Sequence, residues 1–107
     1  MSIFSPEHVQ SLEERNQRFF EEATELVQSN NMSKETAHKL VDYVYDRPLG
    51  EPEQEVGGVM NTLAALCNAL GINIGEQAFV EICRCIENSD KIKAKQKLKP
   101  VISDSEP

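Results

Sequence analysis

Pro52-Glu53-Gln54-Glu55-Val56-Gly57-Gly58-Val59-Met60-Asn61-Thr62-Leu63-Ala64-Ala65-Leu66-Cys67-Asn68-Ala69-Leu70-Gly71 is the stretch that decides the fold class. Val56, Val59, Met60, Leu63, Ala64, Cys67 and Leu70 recur three and four apart, the period of a helix with one apolar face and not the alternation of a strand. Proline suits the first helical position because the N–H it lacks would go unpaired there anyway. Gly71 suits the stop, since a residue without Cβ enters the left-handed conformation at no steric cost. This is the most apolar helix of the chain and is expected at the centre of the fold.

The same period extends in both directions. Ahead of it, Ser33 opens a helix with the stripe Ala37, Leu40, Val41, Val44 and Tyr45, stopped by Arg47-Pro48-Leu49-Gly50. Earlier still, Ser5-Pro6-Glu7 offers a cap, a first-turn proline and an acid at the positive dipole end. From there a helix is expected to run to about Ser29, with Val9, Leu12, Phe19, Ala23, Leu26 and Val27 close to one face and Asn30-Asn31 ending it. Behind the central helix, Asn73-Ile74-Gly75-Glu76 resembles a capping box for a fourth helix carrying Ala78, Phe79, Ile82, Cys83 and Ile86. Asn88 to Asp90 end it, and the basic run Lys91 to Lys99 follows as a short helix. The expected architecture is all-α: a bundle-like four-helix core with a short basic C-terminal helix. Residues 1–100 are read as one domain, because 107 residues are too few for two, and residues 101–107 as a loose tail.

Eighteen acidic residues against eleven basic ones give a formal charge of −7, a field that repels phosphate backbones and argues against a nucleic-acid-coating role. The three cysteines, Cys67, Cys83 and Cys85, are odd in number and lack the paired spacing of a zinc site, so they read as reduced thiols. No basic-then-apolar leader opens the chain, and the longest apolar run, near Leu63 to Leu70, falls far short of a bilayer span. A cytoplasmic protein without membrane insertion is expected.

Three constellations carry potential chemistry. In Glu21-Glu22-Ala23-Thr24-Glu25, the carboxylates of Glu22 and Glu25 stand one turn apart on one helical face and repel unless a cation sits between them. Magnesium suits, because it takes carboxylate oxygens and keeps water and phosphate in its other positions. The plainer reading is a solvated acidic face. In Glu51-Pro52-Glu53-Gln54-Glu55, dipole complementation accounts for Glu51 and Glu53, whereas Glu55 lies one turn inside, against the apolar run. Gly57 and Gly58 cost the helix about 1 kcal/mol each relative to Ala, which suggests close approach by a backbone or ligand, although tight helix packing alone would suffice. Finally, Lys91, Lys95 and Lys99 would form one cationic stripe if helical, able to hold phosphate or simply to offset an acidic body. Arg18, one turn before Glu22, is either a second phosphate contact or an ion-pair partner. His8 and His38 lack neighbouring ligands at metal spacing and read as surface residues.

Taken in order, Arg18 to Gln28, Arg47 to Glu51, Gln54 to Cys67 and Lys93 to Gln96 resemble a phage and bacterial branch of the MazG-like nucleoside triphosphate pyrophosphohydrolases, over roughly residues 12–100. That family carries an E-x-x-E motif on one helix and an E-x-x-D motif on a later one. The resemblance implies an enzyme that uses magnesium, with manganese as a substitute, to cleave a (deoxy)nucleoside triphosphate into monophosphate and pyrophosphate. By position Glu22 and Glu25 match the first motif, Glu55 the first acid of the second, and Glu21 the glutamate that often precedes the first. Metal would fall to Glu22, Glu25 and Glu55, the proton-transfer role to Glu21 with Glu22 beside it, and the phosphates to Arg18, Lys95 and Lys99. Gly58 departs from the pattern, standing where the aspartate belongs. A homodimer or homotetramer is implied as well. The alternatives are a nucleotide-binding or sequestering relative with little turnover, and a helical protein-interaction module.

Overall fold

The computed structural model describes residues 11–102, of which 79% are helical, with no strand among them. Five helices follow in order: α1 (Leu12–Ser29), α2 (Lys34–Tyr45), α3 (Pro52–Leu70), α4 (Ile74–Glu87) and α5 (Ser89–Leu98). The all-helical expectation therefore holds. The expected cap at Ser5-Pro6-Glu7, the apolar position Val9, and His8 lie outside the described residues. So does the tail from residue 103 onward. The described residues divide into two compact units, one of residues 11–46 with 99–102 and one of residues 47–98.

In the first unit α1 begins at Leu12, where the Ser11 side chain accepts from the Glu14 N–H at 3.0 Å. Glu13 and Glu14 follow in the first turn, at the positive end of the helix dipole. The helix closes in a Schellman-type turn: the N–H of Met32 donates to Val27 O and that of Asn31 to Gln28 O, both at 3.0 Å. Asn31 takes the left-handed conformation this requires, with φ 71°. Ser33 then caps α2 by accepting from the Thr36 N–H at 3.0 Å. Between α1 and α2 lies an open, mostly apolar groove of about 940 Å³, floored by Phe20, Val27, Leu40, Val41 and Val44.

In the second unit Pro52 starts α3 and Gly71, with φ 70°, closes it, the Ile72 N–H donating to Cys67 O at 2.8 Å. Asn73 caps α4 by accepting from Glu76 N–H at 2.8 Å, which is the half of the capping box that the sequence pattern signals most directly. α3 and α4 meet at 102°. α4 and α5 pack against each other across the break at Asn88. Among the described residues no single helix is long and apolar enough to cross a membrane.

None of the described residues is fully buried. On α3 only Leu63, Leu66 and Cys67 are half-buried, and Val56, Val59 and Met60 are exposed. The apolar stripes of α1, α2 and α4 repeat this: Ala23, Leu26, Val27, Ala37 and Cys83 are half-buried, while Phe19, Leu40, Phe79 and Ile86 are exposed. Each stripe exists at the helical spacing expected, yet no described stripe is closed over by its own unit. Gly57 and Gly58 differ from expectation in the same sense, because a Cβ built on either meets nothing within 4 Å.

Candidate metal and phosphate site

At 3.6 residues per turn, Arg18, Glu21, Glu22 and Glu25 fall within an arc of roughly 100° on α1, while Phe20, Thr24 and Val27 face the groove on the other side. One helix thus separates an apolar from a charged surface. Glu22 and Glu25 are both exposed and stand one turn apart on the charged side.

Beside them the structure brings together three groups that the sequence analysis singled out separately. Lys99 Nζ lies 3.0 Å from Glu21 Oε1, and Arg18 Nε lies 3.7 Å from the same oxygen. The cluster is partly withdrawn from solvent, with side-chain exposures of 16% for Arg18, 22% for Lys99 and 35% for Glu21. Arg18 donates from Nη2 to the Pro100 carbonyl at 2.7 Å, but its Nε and Nη1 are buried without a hydrogen-bond partner among the described residues. Buried donors left this way carry a desolvation cost, so the guanidinium is an incompletely matched cation. Gln17 completes the arrangement. Its Oε1 accepts from the Ile102 N–H at 2.7 Å, and its Nε2 donates back to the Ile102 carbonyl.

Sequence reasoning missed Gln17 and the docking of residues 99–102. Gln17 and Arg18 meet backbone groups of Pro100 and Ile102 more than eighty residues away in the chain, and no side-chain pattern encodes such a contact. It also misplaced Lys99. α5 ends at Leu98, so Lys99 leaves the helical stripe of Lys91 and Lys95 and belongs to the first unit, on Glu21.

Glu55 and Lys95 belong to the second unit. Lys95 is exposed on α5. The Glu55 carboxylate folds back over Gly50, occupying the space where any Cβ at position 50 would sit. Glycine there leaves room for that carboxylate. Elsewhere on the second unit, Arg84 Nε donates to Glu81 Oε1 at 3.0 Å and Cys85 Sγ lies 3.4 Å from Oε2. The hydrogen bond from Arg84 holds the Glu81 carboxyl below its ordinary value, opposed by desolvation and helped by Cys85 and by the charge of Arg84.

Among the described residues no group of three or more His, Cys, Asp or Glu side chains is arranged to hold a metal. A pair is what α1 presents, and a pair meets the needs of magnesium, which commonly takes one or two protein carboxylates and fills its other positions with water and phosphate oxygen. The donor chemistry of Glu22 and Glu25 therefore fits that ion. No family model, no curated protein and no solved structure matches the chain.

Proposed function

We propose that the chain is a magnesium-dependent nucleoside triphosphate pyrophosphohydrolase of MazG-like type, acting in the cytoplasm as a homodimer or homotetramer. The observation that carries the reading is the charged face of α1: Glu22 and Glu25 one turn apart, with Arg18, Glu21 and Lys99 meeting beside them. The order and spacing of the four motif segments support it independently. Oligomerisation is supported by the apolar stripes, since a chain with no fully buried described residue has apolar surface for a second copy to cover.

Magnesium, when bound, neutralises charge on the phosphates and polarises the bond under attack. Glu22 and Glu25 would hold it, and the resemblance assigns Glu55 as a further ligand. Arg18, Lys99 and Lys95 take the phosphate oxygens and fix the chain of phosphates in line. Glu21 receives the proton of the attacking water as its oxygen bonds to the α-phosphorus. The bond to the β-phosphate then breaks and pyrophosphate leaves with the electron pair. Glu21 Oε1 is held by Lys99, and loosening that contact raises the basicity of the carboxylate.

Gly58 favours a second reading, in which the protein binds nucleotide and turns it over poorly, because the acid expected there is missing. The exposed groove between α1 and α2 favours a third, a helical interaction module. Incubating the pure protein with each of the eight common nucleoside triphosphates and magnesium separates them. Monophosphate and pyrophosphate in equal amounts support the hydrolase. Nucleotide binding without either product supports the second reading, and neither binding nor product leaves the third.

A further inference from the structure

We propose that residues 99–102 form a latch on α1 which the phosphates of the substrate must displace, so that the tail regulates access to Arg18 and Glu21. The inference rests on the reading of Arg18 and Lys99 as phosphate contacts and adds to it a competition built into the fold.

Polar contacts hold the latch among the described residues. Lys99 bonds Glu21, the Pro100 carbonyl takes Arg18 Nη2, and Gln17 clamps both the N–H and the carbonyl of Ile102. The apolar side chains along it, Val101 and Ile102, remain 47% and 67% exposed. Hydrogen bonds that are exposed or only part-buried contribute little net stability, and ordering four residues costs a comparable amount, so closed and open states lie close in free energy.

Closure occupies the groups the reaction needs. Arg18 points one donor at a main-chain carbonyl while Nε, 3.7 Å from Glu21, and Nη1 are buried without a hydrogen bond among the described residues, a deficit that phosphate oxygens would cure and Pro100 does not. Glu21 is engaged by Lys99, which is also the cation a phosphate would attract. A polyphosphate entering beside Glu22 and Glu25 therefore draws Lys99 off Glu21 and takes Arg18 from Pro100. Both contacts that it breaks belong to the latch. Substrate binding and release of the carboxylate that accepts the proton become one event.

Inorganic tripolyphosphate with magnesium is the probe, and amide exchange at Ile102 the readout. In the wild-type chain its addition is expected to raise Ile102 exchange several-fold. Gln17→Ala is expected to do so without the probe and to bind tripolyphosphate severalfold more tightly. A chain ending after Lys99, which keeps the lysine and removes the clamp, is expected to bind as Gln17→Ala does and guards against a folding defect in that variant. Ile102 exchange that stays unchanged or slows at millimolar tripolyphosphate overturns the latch, as does unaltered affinity in both variants. Pyrophosphate release from nucleoside triphosphates, followed in parallel, keeps the two ideas apart. Turnover with an unmoved latch rejects the latch alone. A latch opened by tripolyphosphate with no turnover rejects the hydrolase and leaves a phosphate-gated tail.

Discussion

Replacing Glu21 with Gln keeps the side chain's shape and one carbonyl acceptor while removing the charge that Lys99 and Arg18 share. At 3.0 and 3.7 Å, the two attractions amount to about 5 kcal/mol each at an effective dielectric of about 20, before any cost is subtracted. Most of that is cancelled. Glu21 is 35% exposed, so solvent screens it, and exposed pairs measured in isolation contribute only about 0.2–1 kcal/mol. Arg18 and Lys99 are less exposed than that class, and breaking a fully buried pair costs about 3–5 kcal/mol. Between these bounds, Glu21→Gln should destabilise the first unit by about 1–2 kcal/mol. In a double-mutant cycle with Lys99→Met, the coupling should be about 1 kcal/mol, reduced in high salt because the pair is only half-sheltered. Urea unfolding of the four proteins at fixed chain concentration measures it. A coupling of zero within error, or one unmoved by salt, refutes the reasoning, for it would mean that the tail docks through its backbone hydrogen bonds alone.

Other outcomes follow from single sites. Gly58→Asp restores the acid of the second motif where a Cβ meets nothing, so the helix should accept it and magnesium-dependent pyrophosphate release should rise roughly tenfold or more; a rate no higher than wild type counts against Glu55 and residue 58 as partners in metal binding. Gly50→Ala should leave the melting temperature nearly unchanged, because only the flexible end of Glu55 must move, yet lower activity by displacing that carboxylate. Equal activity in the variant would remove Glu55 from the site. Glu81 should titrate below 4.5 by carbon-detected NMR and return toward 4.5 in Arg84→Gln. Since the folded value is the lower one, any stability this contact lends is present above the unfolded value and fades as pH falls through the depressed one.

Much of the local structure was legible in the residues. Ser33, Pro52, Gly71 and Asn73 sit at the helix ends their side chains and backbone preferences dictate, and Asn31 adopts the left-handed conformation that its short polar side chain tolerates. These are interactions across three or four residues, so a single sequence carries both partners. The pairing of Glu22 with Glu25 on one face of α1 is legible for the same reason. The described start of α1 was not: the helix is expected to run unbroken from Ser5-Pro6-Glu7, whereas Ser11 is extended and caps α1 at Leu12.

The order of the residues is enough to set the helices, most of their caps and which side chains share a helical face, because backbone geometry repeats every 3.6 residues whatever lies beyond. The folded chain adds that Lys99 leaves its stripe for Glu21, that Arg18 meets the Pro100 carbonyl, and that Gln17 holds Ile102. It adds too that, among the described residues, the apolar stripes stay open and a Cβ at Gly58 would meet nothing within 4 Å. Contacts between groups eighty residues apart depend on where the chain returns in space, and backbone groups, being alike at every position, leave no mark of it in the order of the amino acids.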